Sequence, residues 1–201
     1  GLVGPTGSGK STITALLLRL YAPQRGVIRL DGKDLREWEL SELRSVFGYV
    51  QQEGFLFDGA VTDNVTFWGN KPVRDLELVL AQEGLAARHV AERGQGLSMG
   101  ERQIVSYLRA WARDPSVWIL DEATSNLDLK SELRLLERLN QDKHSATVIA
   151  IAHRLSTVRD YDQILVLQRG QLVERGRHAE LLAAQGLYTK MVEYQSASTL
   201  R

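Results

Sequence analysis

The sequence contains no cysteine, which removes thiolate metal sites, a cysteine nucleophile and a disulfide framework, and fits a reducing compartment. Neither sign of charge is in excess: Lys plus Arg number 25 and Asp plus Glu number 25, a formal net charge of zero. That balance removes any bulk electrostatic case for a polybasic membrane contact or a nucleic-acid partner, and no nucleic acid is expected to bind. Long apolar runs are missing as well. Hydrophobic residues make up 43% of the chain, yet a run such as Val148-Ile149-Ala150-Ile151-Ala152 falls far short of the roughly 20 residues a spanning helix needs. No repeat, low-complexity tract or linker rich in Pro, Ser or Gly marks a second independent domain. No signal or transit pattern opens the chain.

What is present argues for one domain with a small subdomain, since 201 residues stand against about 150 per domain. A chain of that length buries about two-thirds of its unfolded surface without a staple. Only Gly1-Leu2-Val3 precede the glycine-rich run at Gly4, shorter than the strand such a loop normally follows, so the sequence reads as the C-terminal part of something longer. Apolar bursts alternate with helical periodicity throughout, the pattern of an α/β domain with a mostly parallel sheet. Ser11 to Leu20 carries Ile13, Leu16, Leu17 and Leu20 at helical spacing, and Gly26 to Gly32 reads as a strand closed by an Asp-Gly turn. Phe47 to Val50 is a short strand, Gln51 to Gly59 a loop, and Val73 to Val90 is expected to be helical. Val117 to Leu120 and Thr147 to Ala152 are continuous apolar runs suited to central strands covered on both faces. Ile164–Leu167 and Gln171–Glu174 form a hairpin about Arg169-Gly170, followed by two short helices between His178 and Tyr194.

Two motifs carry chemistry. Gly4-Pro5-Thr6-Gly7-Ser8-Gly9-Lys10-Ser11 satisfies G-x-x-x-x-G-K-[ST] between an apolar strand remnant and a helix. Its glycines let consecutive backbone N–H groups turn inward around phosphate oxygens, and the helix adds its positive end. Lys10 neutralises β- and γ-phosphate charge and Ser11 can ligate Mg²⁺. A phosphate loop needs a metal-holding carboxylate at the end of a buried strand, which Asp121 supplies in Val117-Trp118-Ile119-Leu120-Asp121-Glu122. Glu122, one residue on, faces another direction and is placed to polarise a water for attack on the γ-phosphorus. His89, His144 and His178 have no comparable setting and read as solvated.

These motifs, together with Leu97-Ser98-Met99-Gly100-Glu101-Arg102-Gln103, Ser125-Asn126-Leu127-Asp128 and Ile151-Ala152-His153-Arg154, resemble the nucleotide-binding domain of ATP-binding cassette (ABC) transporters. The resemblance runs from Gly1 to about Tyr194. It implies a P-loop NTPase core plus a small helical subdomain at about 61–113, within a single ABC ATPase domain over 1–201 that lacks its N-terminal strands. Glu92-Arg93-Gly94 resembles the cross-talk loop of the exporter type, and Gly176-Arg177-His178-Ala179-Glu180-Leu181-Leu182 with Gly186-Leu187-Tyr188 resembles its C-terminal segment. By that resemblance the chain binds ATP and Mg²⁺, with Thr12 joining the phosphate loop. Gln52, or Gln51 one position away, matches the Q-loop glutamine that touches Mg²⁺ and the attacking water. His153 matches the switch histidine that contacts the γ-phosphate and holds Glu122 and water in line.

The resemblance also implies partners. Two domains pair head-to-tail, so that Ser98, Gly100 and Glu101 of one complete the ATP site of the other, with Asp128 at the seam. A transmembrane domain is expected to be fused upstream of Gly1, placing this domain on the cytoplasmic face of the cell's inner membrane and powering export. Ser98-x-x-Glu101 also reads, from the residues alone, as a helix-capping box. The chain departs from the family in carrying Met99 and Glu101 where Gly and Gln are usual, and Glu101 adds a negative charge near an incoming phosphate. The stretch before Ala91-Glu92-Arg93-Gly94 is shorter than usual, and the adenine-stacking aromatic would lie before Gly1. Competing readings are a soluble ABC-type ATPase acting on nucleic acid, ribosomes or protein assemblies, and a non-hydrolysing nucleotide switch.

Overall fold

The computed structural model describes residues 1–51, 54–67, 69, 73, 75–121, 146–152 and 154–199. In chain order the elements are β1 (Leu2–Val3), α1 (Lys10–Leu17), β2 (Arg29–Leu30), β3 (Lys33–Asp34), α2 (Leu40–Val46), β4 (Phe47–Val50), β5 (Gly59–Ala60), α3 (Val61–Thr66), α4 (Leu76–Gln82) and β6 (His89–Val90). They continue with α5 (Met99–Trp111), β7 (Val117–Asp121), β8 (Thr147–Ile151), β9 (Ile164–Gln168), β10 (Gln171–Gly176), α6 (His178–Ala183) and α7 (Leu187–Thr199). No helix among the described residues is long and apolar enough to cross a membrane. The chain divides into two compact units, Gly1–Arg44 with Ile149–Arg201, and Ser45–Val148, so β8 contributes its first two residues to one and its last three to the other.

In the first unit β1 is a parallel neighbour of both β8 and β9, with Leu2 opposite Ile151 and Leu165, and β10 closes the edge antiparallel to β9. Leu2, Ile151 and Leu167 form a buried cluster on which Ile13, Ile149 and Leu165 pack. These side chains come from both β1 and its neighbours, which is why so short a strand is held: Val3, Ile164 and Val166 are fully buried. In the second unit β4 runs parallel to β7, Phe47 opposite Val117 through Val50 opposite Leu120, and Thr147 N donates to Ser116 O at the start of β8. Tyr107 of α5 stacks on Trp118 of β7 at 5.2 Å between ring centroids, offsetting the entropy of ordering two large side chains. The expected mostly parallel α/β architecture is the one observed.

Three expected elements are shorter than their sequence pattern. The helix read over Val73 to Val90 stops at Gln82, because Gly84 adopts φ 68°. Leu85 N then bonds Leu80 O and Gly84 N bonds Ala81 O, the double closure that glycine permits after a helix. His89–Val90 is instead strand, pairing with Gly59–Ala60. The strand read over Gly26 to Gly32 reduces to Arg29–Leu30, turned through Asp31 and Gly32 (φ 50° and 80°) onto Lys33–Asp34. α1 ends early by the same double closure, Leu20 N to Ala15 O and Arg19 N to Leu16 O. There a non-glycine residue, Arg19, takes φ 51° while its guanidinium donates to Leu35 O and Trp38 O.

Candidate functional site

The phosphate loop leaves buried β1 and enters α1 through Gly9, whose φ of 104° sets the helix entry. Gly9 brings no side chain to cap the first turn, and that turn contains no acidic residue. The leading N–H groups of an eight-residue helix are therefore left for an anion. Ser8 N donates to Pro5 O at 3.1 Å, closing the turn, while Gly170 N of the β9–β10 turn donates to Ser8 O at 3.0 Å and braces it. Gly4 cannot be replaced: its φ is 151°, and a Cβ there would overlap the Leu167 carbonyl. Lys10 is buried, with Nζ donating to Gly4 O at 2.8 Å and Pro5 O at 3.1 Å. Its ammonium is thus held inside the turn by the loop's own carbonyls. Pro5, Thr6, Gly7, Ser11 and Thr12 are exposed. The buried Ser8 Oγ has no partner, an orphan that a phosphate oxygen would satisfy. The donor set fits a polyphosphate.

Asp121 ends β7 after four buried residues, half-exposed where the strand emerges. Tyr49 of β4 reaches it across the parallel pair, its hydroxyl donating to Asp121 Oδ2 at 3.1 Å. Burial first, then the Asp121 charge and that hydrogen bond, push the Tyr49 hydroxyl up to about 12, so it stays a donor at every physiological pH. Among the described residues no cluster of three or more His, Cys, Asp or Glu could cage a metal. Among them Asp121 is thus a lone carboxylate, the kind of donor that suits a divalent cation brought largely by phosphate and water rather than caged by protein.

The Leu97 to Gln103 run, which resembles the family's signature, opens α5. Ser98 is the N-cap (φ −64°, ψ 164°): its Oγ accepts from Glu101 N at 3.2 Å, and Glu101 Oε2 accepts from Ser98 N at 2.7 Å. The capping box read from the sequence is therefore formed, and it holds Ser98 and Gly100 together in the first turn. The bond from Ser98 N, against the opposing cost of desolvation and with help from the Ser98 side chain and the Arg88 guanidinium, holds the Glu101 carboxyl below its usual range. Met99 is exposed and Leu97 buried. Upstream, Gln103 of α5, itself buried, donates from Nε2 to Gln51 O at 3.0 Å and so fixes the chain where the Q-loop begins.

Gln52, Glu122, Asp128 and His153 lie outside the described residues. The first unit brings Gly4 through Thr12 together, and the second holds Asp121 with Tyr49, and Ser98, Gly100 and Glu101 at one helix end. Sequence reasoning missed Tyr49, Gln103 and Arg88, whose guanidinium meets Glu101. Tyr49 stands in the Tyr49-Val50-Gln51-Gln52 run, the one available signal.

A profile described as ABC transporter matches residues 1–125. A probable multidrug resistance ABC transporter ATP-binding/permease protein of Bacillus subtilis (strain 168) is 43% identical over 205 residues, 96% of this chain and 30% of that protein. An exotoxin translocation ATP-binding protein of Pasteurella aerogenes is 41% identical over 210 residues, covering 98% of this chain and 29% of its own. The solved structure of a bacterial Atm1-family ABC exporter with ATP bound superimposes with a TM-score of 0.90 at 37% identity, covering 96% of this chain and 36% of that one. The chain belongs to the ABC transporter family, and what it carries of that family is the ATPase domain. It spans 30% to 35% of the length of the first curated relatives it matches.

Proposed function

We propose that this chain is the motor of an ABC exporter: two such domains close head-to-tail over two Mg-ATP, and hydrolysis reopens them to reset a membrane domain on whose cytoplasmic face they sit. The observation that carries this reading is the phosphate loop, with its uncapped helix start, its orphaned Ser8 Oγ and a buried lysine poised at the turn. The likeness to exporters over nearly the whole chain supports the membrane partner. The relatives handle substrates as different as an exotoxin and fatty acids, so their cargo is not carried over. Residues of about 61–113 are assigned to the helical subdomain.

In this mechanism the loop N–H groups of Gly7, Gly9 and Lys10, with the orphaned Ser8 Oγ, surround the β- and γ-phosphates, and the Lys10 ammonium exchanges the Gly4 and Pro5 carbonyls for phosphate oxygens. Ser11, Asp121 and Gln52 are the residues that would hold Mg²⁺, which would supply charge neutralisation at the phosphate oxygens. Glu122 accepts a proton from the water that attacks the γ-phosphorus, and the bond to the β–γ bridging oxygen breaks to give ADP and phosphate. His153 holds water and Glu122 in line. Ser98 and the first turn of α5 meet the γ-phosphate of the partner's nucleotide. Glu122→Gln is expected to keep ATP binding, lose turnover by about 100-fold or more, and accumulate as an ATP-bound dimer in gel filtration. Turnover at the wild-type rate would remove the base assignment.

A further inference from the structure

The signature of this chain carries a carboxylate where its family has an amide, and the structure places a cation against it. Arg88 lies between α4 and β6, its backbone fixed at both ends: Arg88 N bonds Leu85 O at 3.2 Å and Val61 N bonds Arg88 O at 3.0 Å. From there the guanidinium forks. Nη2 donates to Gly96 O at 2.7 Å, and Nη1 lies 3.3 Å from Glu101 Oε1. Glu101 presents its other oxygen to Ser98 N at 2.7 Å. One arginine thus touches both the chain entering the signature and the charge within it. The side chain of Arg102, the next residue along, lies against Gly94, where a Cβ would sit 2.7 Å from its Cδ.

We propose that Arg88 is a positioning residue for the signature, cancelling the Glu101 charge so that the first turn of α5 presents no net negative charge to an incoming nucleotide phosphate. The inference rests on the head-to-tail closure proposed above. Helix starts favour anions through their N–H groups and partial positive charge, and a carboxylate in the first turn opposes that at close range. The Ser98 cap needs an acceptor at residue 101 but not a charge, because glutamine satisfies the same box. An uncompensated Glu101 would therefore keep the helix and harm the ligand's approach. Arginine suits the task better than lysine, since its planar fork holds Gly96 O and the carboxylate at once.

The arrangement makes a charge cycle. Relative to the wild-type pair, Arg88→Gln leaves one negative charge at the helix start, Glu101→Gln leaves one positive charge, and the double variant leaves none. In the full-length protein carrying Glu122→Gln to slow turnover, domain closure is followed by fluorescence transfer between labelled ATPase domains as Mg-ATP is titrated. Arg88→Gln is expected to raise the half-saturating concentration about three- to fivefold and Glu101→Gln to lower it by a similar factor, the range an exposed charge pair supports. The double variant should return to the wild-type value, and the differences should shrink as KCl is raised. Arg88→Lys, which keeps the charge, should stay within about twofold of wild type. A thermal melt of each variant reports separately on folding. A purely structural role for Arg88 would weaken closure in both the single and the double variant, and that outcome, or an unchanged midpoint in Arg88→Gln, would overturn the inference. Absence of ATP-dependent closure in the protein with the Arg88–Glu101 pair intact would instead sink the head-to-tail reading itself.

Discussion

Single side chains decide how well this domain is prepared for its ligand, and Tyr49 is the plainest case. Its hydroxyl holds one oxygen of Asp121, limiting the rotations available to a carboxylate at the end of a strand. In the proposed mechanism the other oxygen is the one that would serve Mg²⁺ or its water. Removing the hydroxyl takes away one hydrogen bond to a charged group, a loss of about 1.5–3 kcal/mol at most and less where water substitutes. Tyr49→Phe is therefore expected to raise the Mg²⁺ concentration needed for tight ATP binding by roughly three- to tenfold, while ATP binding without metal is unchanged. Calorimetric titration of ATP at stepped Mg²⁺ concentrations measures this, and an unaltered Mg²⁺ requirement would leave Tyr49 with packing alone. Neither Tyr49 nor Arg88 was legible as a partner in the sequence. Seventy-two positions separate Tyr49 from Asp121, and only the parallel pairing of β4 with β7 brings them together. The pattern of the phosphate loop, by contrast, was legible because it lies in consecutive residues, whereas the brace from Gly170 N to Ser8 O was not.

At the scale of elements, two local signals were read correctly from partners near in sequence. The Ser98–Glu101 cap of α5 and the Arg169-Gly170 turn between β9 and β10 are both of this kind. The stretch from Val73 to Val90 was misread because its apolar spacing continues past Gly84, whereas backbone geometry ends the helix there. α3 depends on a device no periodicity reveals. Asn64 is fully buried and its amide closes the preceding loop, Oδ1 accepting from Phe57 N at 2.8 Å and Nδ2 donating to Phe57 O at 2.9 Å and Ala60 O at 3.2 Å. Arg109 of α5 then donates to Asn64 O at 2.8 Å and lies 4.5 Å above the Phe67 ring. Asn64→Ala would strand those loop groups, and a loss of about 2–3 kcal/mol of stability is expected, read from the midpoint of urea unfolding. A loss under roughly 0.5 kcal/mol, the size of a neutral surface change, would mean that water replaces the amide.

Taken whole, the chain is electrically balanced, with a sequence isoelectric point of about 7.1. Near-zero net charge weakens repulsion between copies, so the 201-residue chain should be least soluble near pH 7 at low ionic strength and clear on moving to pH 9. Light scattering across that range tests it, and a minimum more than a unit away would mean that folding shifts the charge balance. This balance suits the head-to-tail pairing proposed above, since two neutral bodies can approach without a long-range field. The buried position of Lys10 gives the cycle a further property. Freezing a lysine side chain costs up to about 2 kcal/mol of rotational freedom, and here folding has already frozen it against Gly4 O and Pro5 O. In the proposed mechanism nucleotide arrival would swap partners around an ammonium that folding has already ordered, and departure would return it to the same two carbonyls. Each turnover would then begin and end with the lysine at one rest position, so the disorder that ATP must suppress on binding would lie in the nucleotide rather than in the loop that receives it.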